Sequence, residues 1–426
     1  MIKVSKIKRV HARQILDTKC RPILEVDIET TDGVTGRGSA PTGTSVGMYE
    51  AYVLRDDNPN EYFGMSVHKA IDKVNKTIAP ALIGMDVSEQ RAIDECMIAL
   101  DNTPNKSKLG GNAIYSVSIA ALRAAAASEG VEVYRHICGR DIKTVPVPSF
   151  NVINGGKYAD LVQPFNEFLI VPYNADTIAE AVEIAVKCFK QLEATLTDYL
   201  SRGPTVAGSY GWAAPSADPD IVLGLMSKAV NACGYANKIA FALDCASSEM
   251  YDAKTDTYLL HGKRVSADEL IAYTKTLCQK YPMVFIEDLL DENDWENYSK
   301  ATRELTNTIM IGDDLVVSDI NRLKRAYETK AVEGFVLKPN QVGTITEALD
   351  TYAYAKAHNI YTVPSGRSGG IVGDIIMDFS VGLEVDFQKN GAPRTGERIE
   401  KLNFLLRAND LTPGCRLADL SEVVRF

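Results

Sequence analysis

Four ionisable residues that follow short apolar segments are the first candidates for chemistry. These residues are Asp244, Glu287, Asp313 and Lys338, which end residues 241–244, 284–287, 310–313 and 335–338. Each segment has strand length, and the stretches between them, such as residues 267–279 and 320–328, have the length and mixed polarity of helices. Repeated strand-helix units predict a β/α barrel, in which the carboxyl ends of the strands meet at one mouth. We therefore expect the four side chains to lie together.

Three carboxylates and one lysine at a barrel mouth indicate metal-assisted proton abstraction. Asp244, Glu287 and Asp313 would repel one another if bare, and oxygen ligands on separate strands suit a hard cation, with Mg²⁺ the first choice. We expect Lys338, partly desolvated near that cation, to have a lowered pKa and to act as a general base. A cation that binds a carboxylate stabilises the charge left when a proton leaves the neighbouring carbon. One acid after a strand is more often a helix N-cap than a ligand, but four such residues in register favour the site.

Length and composition limit the possible classes of protein. At 426 residues the chain has room for two domains, or for one barrel with an appendage. A hydrophobic fraction of 46% and a charged fraction of 24% are typical of a soluble globular protein. The net charge of −10 argues against nucleic acid as the main partner. No apolar run reaches membrane length, and the eight cysteines lack paired spacing, which favours reduced thiols in a cytoplasmic protein.

An N-terminal α+β domain is predicted over residues 1–140, ahead of a barrel over residues 141–426. Alternation over residues 22–30 predicts a strand, which an Asp32-Gly33 turn joins to a second strand at 34–39. Three helices are predicted to follow, at residues 67–82, 88–100 and 113–128. Strands followed by helices, without alternation, indicate an α+β arrangement.

A loop rich in glycine and small polar residues, 41–47, connects the predicted sheet to these helices. It is either a plain connection or a mobile lid over the barrel mouth, with Gly43 and Gly47 as hinges and Ser45 offering an oxygen to a metal. Composition does not choose between the two.

The remaining barrel elements are predicted around the four organising strands. Strands are expected at residues 146–154, 167–171, 360–363 and 381–386, and a capping box at Thr177 opens a helix that runs to about Tyr199. The glycine-rich loop 364–370 contains Arg367 and Ser368, which suit an anion such as phosphate. Lys389 fits the site or the surface equally well. The chain then closes with an amphipathic helix that places three apolar residues on one face, Ile399, Leu402 and Leu405.

With these residues laid out, the sequence resembles the enolase (phosphopyruvate hydratase) family over nearly its whole length. The segments that carry the resemblance are Ala-Arg-Gln-Ile-Leu-Asp at 12–17, Tyr-Glu-Ala at 49–51, Asn-Lys-Ser-Lys-Leu-Gly at 105–110, Phe-Asn-Val-Ile-Asn-Gly-Gly at 150–156, Ile-Glu-Asp at 286–288, Gly-Asp-Asp-Leu at 312–315, Leu-Lys at 337–338, Asn-Gln-Val-Gly at 340–343, Arg-Ser-Gly at 367–369 and Gly-Ala-Pro at 391–393. The resemblance implies a small α+β cap on an eight-stranded β/α barrel whose second strand is antiparallel, and a homodimer or larger homo-oligomer.

The resemblance also implies a role for each matching residue of the site. Asp244, Glu287 and Asp313 would bind the catalytic Mg²⁺, and Lys338 would remove the proton alpha to the substrate carboxylate.

Further roles follow from the same resemblance. Lys389 would hold the substrate carboxylate together with the metal, and Arg367 and Ser368 would bind its phosphate. Ser45 would bind a second Mg²⁺, and Glu167 would lie near the substrate hydroxyl.

The chain departs from the family around the leaving hydroxyl. Enolases carry a Gly-Asp-Glu-Gly-Gly-Phe motif whose glutamate donates a proton to the departing hydroxide, and the corresponding run here, residues 207–212, has Ser209 in its place. A serine hydroxyl is far too weak an acid, and loss of general acid catalysis costs on the order of 100- to 10,000-fold. Two family histidines of the substrate site are replaced by Tyr158 and Gly366. Smaller differences are Thr44, Val46 and Asn166.

Several residues are candidates for a replacement acid. The carboxylates considered are Glu167, Asp160, Asp218 and Asp220, and the weaker candidates are Tyr158 and Tyr210.

Three functions are compatible with this pattern. The first is a Mg²⁺-dependent lyase that interconverts 2-phosphoglycerate and phosphoenolpyruvate in glycolysis. The second is a relative that acts on another phospho- or phosphono-carboxylate, which the Ser209 motif favours. The third is a non-catalytic binding protein, which the retained Lys338 and the costly cluster of carboxylates disfavour. The expected partner is a small phosphorylated carboxylate as substrate, and neither nucleic acid nor a membrane is expected as a partner.

Overall fold

The computed structural model describes residues 5–43, 47–158 and 161–426. Fourteen α-helices are assigned within these residues: α1 (His68–Lys73), α2 (Ala79–Leu82), α3 (Gln90–Asp101), α4 (Gly111–Glu129), α5 (Val133–Cys138), α6 (Ile178–Leu200), α7 (Pro219–Ala232), α8 (Ala267–Lys280), α9 (Trp295–Glu304), α10 (Ile320–Thr329), α11 (Pro339–Val342), α12 (Ile345–Ala357), α13 (Ile376–Gly382) and α14 (Gly396–Asp410). A π-helical turn, Val74–Ile78, joins α1 to α2.

The strands assigned within the same residues number seventeen. They are β1 (Ile7–Leu16), β2 (Pro22–Thr30), β3 (Thr35–Ser39), β4 (Thr144–Val145), β5 (Val147–Tyr158), β6 (Leu161–Val171), β7 (Trp212–Ala213), β8 (Ala240–Asp244), β9 (Tyr251–Asp252), β10 (Thr257–Leu260), β11 (Lys263–Val265), β12 (Met283–Glu287), β13 (Ile309–Gly312), β14 (Gly334–Leu337), β15 (Tyr361–Pro364), β16 (Phe387–Lys389) and β17 (Arg416–Leu417).

The N-terminal region is an antiparallel sheet, β1-β2-β3, covered by helices. Its helix α4 is apolar on nearly every side, as expected of a helix with no solvent-facing stripe. Ile114 and Val117 belong to the N-terminal core, whereas Tyr115, Ile119 and Leu122 belong to the barrel core. Helix α4 therefore packs between the two cores.

Two glycines of β3 allow α4 to lie directly on the sheet. A Cβ atom at Gly36 would lie 2.1 Å from the Ala120 carbonyl oxygen and 2.3 Å from the Ala124 nitrogen, and one at Gly38 would lie 2.2 Å from the Ser116 oxygen. These are backbone atoms of a helix, so they cannot move away as a side chain would. Glycine is required here for close approach and not for an unusual backbone angle.

We expect Gly36→Ala to lower the free energy of unfolding by at least about 3 kcal/mol, because one methyl group forces α4 away from the sheet. Chemical denaturation measures the effect. The matched control is Gly203→Ala, where no atom lies within 4 Å of the added Cβ, and we expect a change within about 0.5 kcal/mol. Equal stability of the two variants would show that α4 does not pack this closely.

The barrel is closed by eight strands in the order β5, β6, β8, β12, β13, β14, β15 and β16. Strand β6 is antiparallel to both β5 and β8, and the other barrel pairs are parallel. Strand β16 pairs with β5, and a bridge between Ser365 and Lys389 connects it to the end of β15. The predicted fold, an eight-stranded barrel with an antiparallel second strand and an N-terminal α+β region, is confirmed.

Most of the predicted elements are present in the structure. Elements that were not predicted include strand β1, the short strands β4, β7 and β17, and the β9-β10-β11 sheet. The strand expected at residues 381–386 is wrong: the fully buried helix α13 ends at Gly382 and the strand is β16. Ile399 is 37% exposed, so the buried face of α14 contains Leu402 and Leu405 without it. Strand β16 was missed because it is short and because the near-continuous apolar run of α13 precedes it.

The division into two domains near residue 140 remains our proposal. Helix α5 ends at Cys138 and β4 begins at Thr144, so the proposed boundary falls in the connection between them. No helix in the described part of the chain is long and apolar enough to cross a membrane.

Candidate active site

A cavity of about 290 Å³ opens at the carboxyl ends of the barrel strands. Its walls contain most of the side chains that the sequence analysis singled out, among them Glu167, Ser209, Asp244, Asp313, Lys338, Gly366, Arg367, Ser368 and Lys389. Glu287 is fully buried next to it. Ser45 lies outside the described residues. The barrel thus brings together residues that are up to 222 positions apart in the chain, counted from Glu167 to Lys389.

Strand register places three carboxylates around one ammonium group. Glu287 of β12 and Glu167 of β6 are both the register partners of Asp244 of β8. Lys389, on β16, reaches them from across the barrel: its Nζ lies 2.9 Å from Asp244 Oδ2, 2.6 Å from Glu287 Oε2 and 3.5 Å from Glu167 Oε2. Of the two placements considered for Lys389, the structure shows the one in the site: the residue is buried and does not lie at the surface.

Lys338 lies at the end of β14 and pairs with Asp313, at the end of β13. Gln341 Nε2 donates a hydrogen bond of 3.0 Å to the other oxygen of Asp313. Burial lowers the pKa of Lys338, and the charges of Arg367 and Lys389 lower it further. The surrounding acids, with Asp313 the strongest, raise it, and the net direction is upward. This direction is opposite to the prediction, which counted on a cation beside the lysine.

Glu287 carries the physical signature of a metal ligand. Burial and the neighbouring Asp244 raise its pKa well above the usual value, against the opposing charge of Lys389. Its Oε1 atom is buried and has no hydrogen-bond partner among the described residues. A buried carboxylate oxygen without a partner is costly, and a cation would satisfy it. The donor set, which consists of carboxylate oxygens, suits a hard cation.

A second group of acids adjoins the first. Oxygens of Asp288, Asp313 and Asp314 lie within 4.8 Å of one another. Asp288 accepts hydrogen bonds from the backbone nitrogens of Asp313 (2.9 Å) and Asp314 (2.8 Å) and from the Tyr298 hydroxyl (3.0 Å). Burial and the charge of Asp313 raise the pKa of Asp288 to about 7 and that of Asp314 to about 9. Adjacent ionised carboxylates repel one another in a buried place, and a bound cation would offset that repulsion.

Arg367 is held by an acid from the N-terminal region. Its Nη1 donates a hydrogen bond of 2.8 Å to Glu50 Oε2, and its Nη2 one of 3.1 Å to Glu50 Oε1. Both side chains are buried. The neighbouring Ser368 Oγ is buried and has no hydrogen-bond partner in the described part of the chain. This arrangement leaves a hydroxyl donor beside a fixed guanidinium, which suits an anion.

The candidates for a replacement acid separate clearly. Glu167 lines the cavity and accepts a hydrogen bond of 2.7 Å from Asn151. Asp218 caps α7 and accepts a hydrogen bond from Tyr273, while Asp220 pairs with Lys280, so neither reaches the cavity. These two assignments are therefore corrected.

Neither of the two tyrosine candidates lines the cavity. The Tyr158 hydroxyl donates to the carbonyls of Asn154 and Gly155 and does not line the cavity, so its part in substrate binding stays a prediction. Tyr210 is directed towards the Thr18 carbonyl, 3.4 Å away. Asp160 lies outside the described residues.

Sequence reasoning missed several residues of the cavity. Asp288 and Asp314 each follow a predicted ligand directly, and that adjacency was an available signal. Arg398 and Lys401 are charged residues on the buried side of α14, where an amphipathic pattern predicts only apolar side chains. Asn390 follows Lys389 and was overlooked for the same reason: nothing in the local pattern marks a polar residue as buried.

Fold and site together define a class: a β/α-barrel protein with an α+β cap, whose strand ends carry a carboxylate cluster and two lysines, of which Lys389 is buried and Lys338 is partly buried. Residues 7–137 match the family described as "Enolase, N-terminal domain", and residues 142–416 match "Enolase, C-terminal TIM barrel domain". Two proteins named "Enolase" are similar over nearly their whole length. That of Saccharolobus solfataricus is 39% identical over 407 residues, which cover 95% of this chain and 96% of the relative. That of Methanococcus aeolicus is 40% identical over 402 residues, 94% of each. The chain belongs to the enolase family.

Proposed function

We propose that the protein is a Mg²⁺-dependent lyase that removes the proton alpha to the carboxylate of a phosphorylated acid, and that it converts 2-phosphoglycerate to phosphoenolpyruvate. The observation that carries the proposal is the juxtaposition of Lys338 and Lys389 with Asp244, Glu287 and Asp313 at one mouth of the barrel. Family membership and the names of the similar proteins support the same reaction.

In this proposal each group of the chain has one task. Asp244, Glu287 and Asp313 hold the cation, which supplies positive charge next to the substrate carboxylate and so stabilises the charge that proton removal creates. Lys389 holds that carboxylate from the other side. Lys338 accepts the alpha proton. A cation held by Asp313 would compete with the Lys338 ammonium group for that carboxylate and would lower the pKa of Lys338.

Arg367 and Ser368 bind the phosphate in the proposed complex. Arg367 is already fixed by Glu50, so it loses little side-chain freedom on binding. The buried hydroxyl of Ser368 is available to donate a hydrogen bond to one phosphate oxygen. Ser45 and a second Mg²⁺ belong to the proposal through family resemblance alone.

The first experiment follows the substrate by proton NMR in heavy water with Mg²⁺. Appearance of phosphoenolpyruvate at an enzyme-like rate supports the proposal. Loss of the alpha proton signal without product would mean that the base and metal function while elimination does not, and that 2-phosphoglycerate is not the substrate. Absence of both would contradict the proposal.

We expect Ser209→Glu to increase the rate of elimination from 2-phosphoglycerate. Ser209 lines the cavity and cannot protonate the departing hydroxide, whereas general acid catalysis contributes 100- to 10,000-fold in enzymes. A carboxyl group at an unoptimised position should recover part of this, about 10-fold or more. The control is Ser209→Gln, which has the same size and no acid. An equal rate for both variants would show that an acid is not what limits the reaction.

Other features of the proposal come from the family. We propose that the protein is a homodimer or larger homo-oligomer of the cytoplasm, that it takes part in glycolysis, and that its partner is a small phosphorylated carboxylate.

A further inference from the structure

The side chain of Asn151, on β5, faces the Glu167 carboxylate, on β6. The register partner of Asn151 is Leu169, and Glu167 lies two positions from Leu169, on the same face of β6. The Asn151 Nδ2 atom donates a hydrogen bond of 2.7 Å to Glu167 Oε1. Asn151 is 0% exposed and does not line the cavity, whereas Glu167 does. Asn151 can therefore act on a bound molecule through Glu167 and not by contact.

The amide of Asn151 is held with its nitrogen towards the carboxylate. Its Oδ1 atom is buried and has no hydrogen-bond partner among the described residues. A buried carbonyl oxygen without a partner costs free energy, and such groups are rare in folded proteins. The opposite orientation would place that oxygen against the negative charge of Glu167. The hydrogen bond to Glu167 therefore decides how the amide is oriented.

Lys389 holds Glu167 less closely than it holds the other acids around it. The Lys389 ammonium group is 3.5 Å from Glu167 Oε2. It lies closer to Glu287 (2.6 Å) and to Asp244 (2.9 Å). Asp244 is also the register partner of Glu167, and two ionised carboxylates opposite each other repel. Because the terminal torsion of a glutamate has broad minima, the orientation of this carboxylate depends on the hydrogen bond from Asn151.

The chemistry of the proposed substrate indicates which of its groups Glu167 can bind. The carboxylate and phosphate of 2-phosphoglycerate accept hydrogen bonds, whereas the hydroxyl on the third carbon donates one. In the proposed function, Lys389 and the cation bind the carboxylate, and Arg367 and Ser368 bind the phosphate. Glu167 adjoins Lys389 and, as a carboxylate, accepts hydrogen bonds only. The hydroxyl is therefore the group of the substrate that can pair with Glu167.

We propose that Asn151 is a positioning residue, which orients the Glu167 carboxylate so that the site recognises the hydroxyl on the third carbon of the substrate. The inference rests on the proposed function, which assigns the other two groups of the substrate. A hydrogen bond weakens steeply as its angle departs from linearity, so affinity for the hydroxyl depends on the orientation of Glu167. Asn151 thus contributes to specificity for a hydroxylated substrate without touching it.

The test compares two ligands by isothermal titration calorimetry in the presence of Mg²⁺. The ligands are 2-phosphoglycerate and 2-phospholactate, in which hydrogen replaces the hydroxyl on the third carbon. All proteins compared carry Lys338→Ala, so that 2-phosphoglycerate is not consumed. We expect 2-phosphoglycerate to bind about 10-fold or more tightly, because a hydrogen bond to a charged group is worth that much. Equal binding would overturn the inference and leave the proposed function standing. Failure of both ligands to bind, to the unaltered protein as well, would overturn both.

The variant Asn151→Leu keeps the size of the side chain and removes its donor. We expect it to bind the two ligands within about 3-fold of each other, because the oriented hydrogen bond is lost. General loosening of the barrel would weaken both ligands alike and leave their ratio unchanged. The matched control is Asn75→Leu, which removes an amide that bonds to the Ala12 backbone, and it should retain the preference. A preference that survives in Asn151→Leu would overturn the inference. If that variant does not fold, Asn151→Ser, whose hydroxyl is too short to reach Glu167, tests the same point.

A double variant decides whether Asn151 acts through Glu167. We expect Asn151→Leu to leave the ratio of the two affinities unchanged once Glu167→Gln is present, because both changes remove one interaction. A further change of the ratio in the double variant would mean that Asn151 acts independently of Glu167, and would overturn the positioning role.

Discussion

Lys338→Ala is expected to lower the rate of exchange of the alpha proton of 2-phosphoglycerate by about 100- to 10,000-fold in heavy water with Mg²⁺. Three lysines line the cavity among the described residues. Lys338 pairs with Asp313, whereas Lys389 is held by Asp244 and Glu287, and Lys401 is held by Glu397. Removing Lys338 leaves no base of the same type to replace it. Proton NMR of the alpha position measures the exchange rate directly, without depending on elimination.

The control for this variant is Lys275→Ala, which removes an exposed lysine from α8 and should leave the exchange rate unchanged. Mg²⁺ binding by Lys338→Ala should also persist, because all three carboxylates remain. Exchange retained within about 10-fold of the unaltered protein would mean that another group takes the proton.

Glu287→Gln is expected to weaken Mg²⁺ binding by at least about 100-fold, which is the upper end of what loss of a supporting group costs a metal site. The substitution keeps the shape of the side chain and removes its charge. Without Mg²⁺ we expect little loss of stability, because the carboxylate is buried and its pKa is raised, and Lys389 keeps Asp244 at 2.9 Å. The protein should therefore fold but lose the rise in melting temperature that Mg²⁺ produces in the unaltered chain.

The matched control is Glu249→Gln, an identical change at an exposed residue on the wall of the same cavity. We expect it to bind Mg²⁺ within about 3-fold of the unaltered protein, since one exposed charge contributes little. Calorimetric titration with MgCl₂ measures both variants. If Glu287→Gln binds Mg²⁺ as the control does, Glu287 is not a ligand and the cluster is not the metal site.

The sequence by itself determined the architecture and the chemical types at the mouth of the barrel. Apolar strands that end at Asp244, Glu287, Asp313 and Lys338 specify which residues share one edge, because the carboxyl ends of barrel strands point the same way. The order of the strands along the chain and the apolar period within each strand are local properties of the sequence, so the architecture could be predicted. The loss of the acid at Ser209 was also visible in the sequence alone.

Only the tertiary structure decided the partners of these charges. Lys389 lies 145 residues from Asp244 in the sequence and 2.9 Å from it in space, and the closure of β16 on β5 brings them together. The direction of the Lys338 pKa shift depended on the balance between burial and Asp313, which no spacing gives. Polar residues on the inner side of α14, such as Arg398, break the amphipathic rule that sequence reasoning relies on. Arg398 is buried against Gly391, and Lys401 is buried against Gly366. Their burial therefore follows from packing between separate parts of the chain.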